Sequence, residues 1–289
     1  QQALDLIGKV FLDEGDTVLV ETPTYLGALQ AFDLFFPKFV SVASDDNGLD
    51  ADQITVEQAK GAKFLYALPN FQNPTGRVMT EARRQALVAK ARELDFIVVE
   101  DDPYGELWYT SAPPPSLLSR MPERVGRMGS FSKILSPGLR LGYIIAPEEI
   151  ARKIEQVKQA TDLHTSTIAQ RAVYEVVKDG FLKQHVPTIS TLYREQAQSM
   201  LNALSEYMPE GVTWNQPLGG MFLWLQLPEG MDSEALLKKA IERNVAYVPG
   251  VPFYANESLR NTMRLAFVTV PDEKIRAGVK VLAEVFAQK

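Results

Sequence analysis

The stretch Phe96-Ile97-Val98-Val99-Glu100-Asp101-Asp102-Pro103-Tyr104 reads FIVVEDDPY. Its first half is a near-continuous apolar, β-branched run. That pattern predicts a strand buried on both faces, as in a parallel sheet covered by helices on either side. Its second half sets two acids, a proline and a tyrosine just past the strand's end. Solvated acids, or a cap for the next helix, would read the same way. Successive strand residues point to opposite faces, so neighbouring Asp101 and Asp102 do not suit one shared metal ion. The pattern better suits one aspartate pointing inward, with Tyr104 three positions on.

Working outward, strand and helix patterns alternate through the first half of the chain. The spacing predicts helices over 1–12, 26–35, 50–59 and 80–94, the third capped by Asp50 and the fourth by Thr80. Strands are expected at 17–21, 39–42, 63–68, 125–129 and 141–146. This alternation predicts a three-layer α/β/α domain with a mostly parallel sheet, over residues 1–180. Helices are expected at 147–160, 166–178 and 181–207, the last long enough to bridge two domains. After it, strands at 220–225, 245–248 and 263–267 mix with helices at 233–243 and from 272, without βαβ regularity. A smaller α+β domain is therefore expected over 181–289.

Bulk composition excludes several classes. With 289 residues, 46% hydrophobic, the chain can bury a large core. Its formal net charge of −6 gives no electrostatic footprint for nucleic acid. Without cysteine there is no disulfide, thiolate nucleophile or zinc–thiolate site, and His164 and His185 are the only histidines. No apolar run approaches the ~20 residues of a membrane-spanning helix. A cytoplasmic protein is the expectation.

In open α/β sheets ligands bind outside the carboxyl ends of the strands. After the strand at 63–68 comes Pro69-Asn70-Phe71-Gln72-Asn73-Pro74-Thr75-Gly76, either a plain turn or a turn that aims the Asn73 amide at a ligand oxygen. Past the strand at 125–129 comes Gly129-Ser130-Phe131-Ser132-Lys133-Ile134-Leu135-Ser136-Pro137-Gly138-Leu139-Arg140. Ser130, Ser132 and Arg140 are the group types that bind phosphate. Lys133 can form a Schiff base with an aldehyde. The same stretch also satisfies S-x-x-K, the nucleophile motif of penicillin-binding enzymes. Tyr254-Ala255-Asn256 even offers a Y-x-N, but K-T-G occurs nowhere. An amide, an aspartate with a tyrosine, and a lysine inside a phosphate-binding set together supply what pyridoxal 5'-phosphate requires.

These residues resemble the class I/II aminotransferases of the pyridoxal-phosphate-dependent transferase fold (fold type I). The branch with α-aminoadipate (LysN-type) and kynurenine aminotransferases is the most similar. The resemblance runs the whole length, through Glu21-Thr22-Pro23-Thr24-Tyr25, Asn73-Pro74-Thr75-Gly76, Asp101-Asp102-Pro103-Tyr104, Ser130-Phe131-Ser132-Lys133, Pro137-Gly138-Leu139-Arg140, Asp162-Leu163-His164-Thr165 and Asn261-Thr262-Met263-Arg264-Leu265. It implies that Lys133 holds the cofactor and moves the substrate proton, and that Asp101 pairs with the ring nitrogen. It further implies that Asn73 and Tyr104 bind the ring oxygen and that Tyr25 stacks on the ring. Ser130, Ser132, Arg140 and Gln1 would hold the phosphate. Arg264, helped by Asn73, would clamp the substrate α-carboxylate. His164 gets no role, and His185, Trp214 and Trp224 are read as structural.

The resemblance implies a ping-pong transfer of an amino group from an amino acid to a 2-oxo acid, 2-oxoglutarate as acceptor, by a homodimer. The family carries roughly a hundred residues ahead of the position of Gln1, as large two-domain enzymes do. They supply the first strand of the sheet, further phosphate contacts, the side-chain pocket and a tyrosine lent across the dimer. The chain opens without methionine, directly in a helical pattern, so a missing N-terminal portion is expected. That leaves two alternatives open: an aminotransferase-like domain of a MocR-type regulator, or another pyridoxal-phosphate reaction such as β-elimination.

Overall fold

A computed structural model describes residues 1–256 and 258–287. The first half runs α1 (Gln2–Phe11), β1 (Thr17–Thr22), α2 (Leu26–Asp33), β2 (Lys38–Asp45), β3 (Gly48–Leu49), α3 (Val56–Ala59), β4 (Ala62–Ala67), α4 (Glu81–Glu93), β5 (Ile97–Asp101), α5 (Leu117–Arg120), β6 (Val125–Ser130) and β7 (Gly142–Ile145). Then come α6 (Glu148–Asp162), α7 (Thr167–Val177), α8 (Phe181–Tyr207), β8 (Thr213–Trp214), β9 (Phe222–Gln226), α9 (Ser233–Glu242), β10 (Val248–Pro249), β11 (Thr262–Ala266) and α10 (Asp272–Phe286).

The first seven strands form one sheet in the order β3-β2-β1-β4-β5-β6-β7. Pairings from β2 through β6 are parallel, and the short edge strands β3 and β7 run antiparallel. Side-chain alternation builds the two faces. Val18, Val20, Phe64, Tyr66, Val99 and Met128 enter one core with α1 and α2. Leu19, Leu65, Ala67, Val98 and Val125 enter the opposite core with α4. Each fully buried aliphatic or aromatic side chain contributes about 1.5–3 kcal/mol. Strands apolar at every position are therefore stable only with both faces covered. The expected α/β layering is the observed one.

The second sheet is antiparallel, β10-β11-β9-β8. It packs Leu223, Leu225, Met263 and Leu265 against Met200, Ala203 and Leu204 of α8 and Ile275, Val279 and Leu282 of α10. The expected bridging helix is a single α-helix of 27 residues, with Pro187 inside it. Residues 288 and 289, the end of the expected second domain, lie outside the described residues.

Three local expectations need correction. The helix expected over 50–59 is a 3-10 turn, Ala51–Gln53, followed by α3. Asp50 caps the turn, but Ile54 is extended, and Thr55 with Gln58 makes a capping box that starts a new helix. Thr80 stands at the N-cap of α4 without a side-chain cap bond. The strand expected at 245–248 forms only at Val248–Pro249. Asn244 adopts a left-handed φ of 61°, and the Val245 N–H donates to the Ala240 carbonyl at 3.0 Å, closing the end of α9.

Candidate active site

The segments after β1, β4, β5 and β6 meet at one end of the parallel sheet, and β11 of the second sheet adds Arg264. Asp101 ends β5, and its Oδ2 accepts a 2.6 Å hydrogen bond from the Tyr66 hydroxyl. Asp102 turns the other way. Its Oδ2 pairs with Arg127 at 2.7 Å, and its Oδ1 accepts from the Gly105 N–H at 2.9 Å. One aspartate therefore enters the site and its neighbour braces the following turn, as strand alternation demands.

Burial pushes the Asp101 carboxyl up to about 6, and the Tyr66 hydroxyl, which favours the charged form, holds it down. A carboxyl raised in the folded state binds its proton more tightly there than when unfolded. Its stabilising effect is present below the ordinary value of 3.8 and is lost as pH rises through about 6. Tyr66→Phe removes the hydroxyl and is expected to carry that loss of stability to higher pH. Denaturant titrations at a series of pH values check this; an unmoved profile means Tyr66 does not tune Asp101.

Lys133 lies in the turn after β6, where the Leu135 N–H donates to the Phe131 carbonyl at 2.9 Å. Its Nζ is 6.0 Å from the centroid of the Tyr104 ring. Burial, then the positive charges of Arg264 and Arg140, lowers its affinity for a proton. A lysine so placed has more free amine available than one in water. Tyr104 is buried, and burial followed by the charges of Tyr25 and Asp101 raises its hydroxyl well above the usual range.

Asn73 stands between the two sheets. Its Oδ1 accepts from Arg264 Nη1 at 2.8 Å. The Arg264 guanidinium lies 4.3 Å from the Phe222 ring centroid and 5.4 Å from that of Phe253. Among the described residues its Nε is buried without a partner, and the groups that offset its burial are the hydroxyls of Tyr104 and Tyr25. It is a desolvated cation with donors to spare, the setting in which an incoming carboxylate binds bidentately. Tyr25 follows β1 across the backbone of Gly27, where a Cβ would lie 2.6 Å from its hydroxyl. Any larger residue at 27 displaces that ring.

Gln1, Ser130, Ser132 and Arg140 line one cavity of about 650 Å³, together with Lys158 and His164. The Ser130 hydroxyl accepts from the Ser132 N–H at 3.1 Å. Arg140 sits in a left-handed conformation after a 3-10 turn, and its Nη1 donates to the Pro137 carbonyl at 3.1 Å. The Gln1 side chain donates to the Gly27 carbonyl at 2.9 Å. Two hydroxyls and a guanidinium around one recess are group types that bind an anion, and Asp101, Tyr104 and Asn73 add the carboxylate, hydroxyl and amide of a donor set that fits pyridoxal 5'-phosphate.

Reading the sequence missed Tyr66, Phe222 and Phe253, and set His164 aside although it lines this cavity. Tyr66 left one signal, a phenol among the apolar Phe64, Leu65 and Ala67 of a strand beside the acid-bearing one. Phe222 falls within the strand expected at 220–225. It is buried, yet it lies under the Arg264 guanidinium, a contact between neighbouring strands that needs the Arg264↔Trp224 register to be known.

Comparison with known proteins agrees along the whole chain. The model of class I and II aminotransferases matches residues 1–282. Aromatic-amino-acid aminotransferase 1 of Thermococcus litoralis is 47% identical across 100% of this chain and 71% of its own length. The 2-aminoadipate transaminase of Thermus thermophilus is 45% identical across 98% of this chain and 72% of its own. A crystal structure of Pyrococcus horikoshii kynurenine aminotransferase superposes with a TM-score of 0.95 at 47% identity, covering 99% of this chain and 72% of that one. A site built from these strand ends, on this sheet order, in a chain matched from end to end, makes the protein a member of the class I and II aminotransferase family.

Proposed function

We propose that this aminotransferase uses pyridoxal 5'-phosphate to move the amino group of an amino acid to a 2-oxo acid, with 2-oxoglutarate as acceptor, in a ping-pong cycle. Arg264 carries the reading: it is a desolvated cation whose Nε has no partner among the described residues, held against Asn73 and near enough to Lys133 to lower its proton affinity. A lysine amine facing a carboxylate clamp is what an α-amino acid requires. The cofactor, when bound, supplies an aldehyde that condenses with amines and a protonated ring that draws electrons from the substrate's α-carbon.

The chain's own groups do the rest. Ser130, Ser132, Arg140 and Gln1 hold the phosphate, Tyr25 covers the ring, and Asn73 and Tyr104 bind its oxygen. Asp101 keeps the ring nitrogen protonated by holding a negative charge beside it. Arg264 and Asn73 fix the substrate carboxylate. Freed Nζ of Lys133 takes the proton from the α-carbon, and its lowered proton affinity suits a base at neutral pH. The two separate sheets support a cofactor-carrying domain over residues 1–180 and a smaller one from 181. We place the enzyme in the cytoplasm as a homodimer. No described helix is long and apolar enough to cross a membrane.

The names of its relatives favour donors with long or aromatic side chains: 2-aminoadipate, kynurenine and the aromatic amino acids. Half-reactions of the cofactor-loaded protein with these, and with leucine and valine as contrasts, test the reading by the visible spectrum. At least one donor is expected to convert the aldehyde form to the amine form, and 2-oxoglutarate to reverse it. No conversion by any of them overturns the proposal. Arg264→Lys keeps the charge and loses the planar fork. It is expected to lower kcat/KM by roughly tenfold to a hundredfold, mostly through KM for both the amino acid and the oxo acid. Unchanged KM values would remove Arg264 from the clamp.

A further inference from the structure

Asn215 follows directly on β8, at the end of its ladder with β9. The Asn215 N–H donates to the Trp224 carbonyl at 3.3 Å, and the Trp224 N–H donates to Asn215 Oδ1 at 2.7 Å. The side chain thus extends the ladder and fixes its own amide plane. The other end of the amide, Nδ2, donates to the Thr75 carbonyl at 2.6 Å, 140 residues away along the chain. A backbone N–H can only donate and a carbonyl can only accept, so these two partners settle which way the amide points. One short side chain therefore ties the antiparallel sheet to a loop of the parallel one.

Both ends of this tie lead to the Asn73–Arg264 pair. Trp224 stands opposite Arg264 in the β9–β11 register. Thr75 follows Asn73 and Pro74 in a turn closed on itself. The Gly76 N–H donates to the Gln72 carbonyl at 2.6 Å, the Gln72 N–H donates to the Arg77 carbonyl at 2.9 Å, and the Thr75 hydroxyl donates to Gln72 Oε1. A turn closed by these bonds moves as a unit, so holding Thr75 also holds Asn73. It lies directly on β9: Gly76 has a φ of +69°, and a Cβ there would lie 2.6 Å from the Phe222 carbonyl oxygen. Asn73 Oδ1 then meets Arg264 Nη1 at 2.8 Å. The arginine alone would hold the turn loosely, through several rotatable bonds, whereas Asn215 joins backbone to backbone through a short side chain.

We propose that Asn215 is a positioning residue for the substrate-carboxylate clamp: by tying the Thr75 carbonyl to the backbone of β9, it seats the turn at 72–77 and so fixes the Asn73 amide against Arg264. The inference rests on the reading of Arg264 and Asn73 as that clamp. The role is indirect, because Asn215 acts through backbone groups at both ends.

The test uses the cofactor-loaded protein and 3-phenylpropanoate, a carboxylate without an amine, with binding measured by calorimetry. Asn215→Leu removes both bonds, and Asn215→Asp keeps the acceptor for Trp224 but turns an oxygen toward the Thr75 carbonyl. Each is expected to weaken binding roughly threefold to tenfold, the scale of one net hydrogen bond. In an Asn73→Ala background Asn215→Leu is expected to add nothing, because the path runs through Asn73. KM for the amino acid and the oxo acid should rise by the same factor, with kcat moving far less. A merely structural role would lower the folded fraction, and so kcat, and leave KM alone. Asn215→Ala removes the same two bonds without new bulk and serves if Asn215→Leu does not fold. Undiminished binding by the apolar variant, a loss in Asn215→Asp alone, which would be the effect of its new charge, or a loss that persists in the Asn73→Ala background overturns the proposal. A wild type that does not bind the probe, or binds it as well after Arg264→Lys, overturns the clamp and the proposal with it. Dependence on Arg264 without dependence on Asn215 overturns the proposal alone.

Discussion

Lys133→Ala is expected to lower turnover by about 10⁴-fold or more, since on the proposed function it removes both the covalent anchor and the group that moves the substrate proton. The proposed phosphate site of Ser130, Ser132 and Arg140 does not depend on the lysine side chain, so the variant should still take up cofactor. Borohydride treatment followed by mass measurement separates the two effects. Wild type should gain a fixed cofactor mass, and the variant should not. A variant that still traps the cofactor covalently would show that another amine is the anchor. Melting temperature is expected to change little, because among the described residues the Lys133 side chain makes no hydrogen bond or ion pair.

Asp101→Asn is expected to cost on the order of 10³-fold in kcat, the scale for removing one preorganised charge from a site. Asparagine keeps the shape but cannot hold a negative charge beside the ring nitrogen. Stability should move the other way. The wild-type carboxyl, pushed up to about 6, is ionised at neutral pH in a place that disfavours charge. The variant should therefore be at least as stable as wild type at neutral pH. Its stability should also lose the decline expected of wild type between 3.8 and about 6. Steady-state rates and denaturant curves on the same preparations check both halves. A variant that is less active only in proportion to lost folding would make Asp101 structural.

The strand ends were legible because their chemistry sits within a few residues of an obvious apolar run. FIVVEDDPY gives the strand and its acid together, and GSFSKILSPGLR gives the lysine with the groups that now share a cavity with Gln1. What escaped was chemistry assembled across long separations. Tyr66 reaches Asp101 from a neighbouring strand, a contact that only sheet order supplies. Local errors had local causes. Thr55 and Gln58 spell a capping box that splits the helix expected at 50–59. Asn244 marks a helix end that takes Val245 out of the strand expected there.

Arg264 belongs to the antiparallel sheet and Asn73 to a loop of the parallel one, with 2.8 Å between their polar atoms. A carboxylate seated on both is, thermodynamically, a reversible cross-link between two separately formed cores. Ligand at about a hundredfold over its Kd adds about 2.7 kcal/mol to whatever must be intact for it to bind. Here both cores must be intact, so the ligand protects the weaker one as fully as the stronger. The melting curve of the free protein can reveal two domains losing structure independently, while that of the saturated protein should merge into one sharper transition.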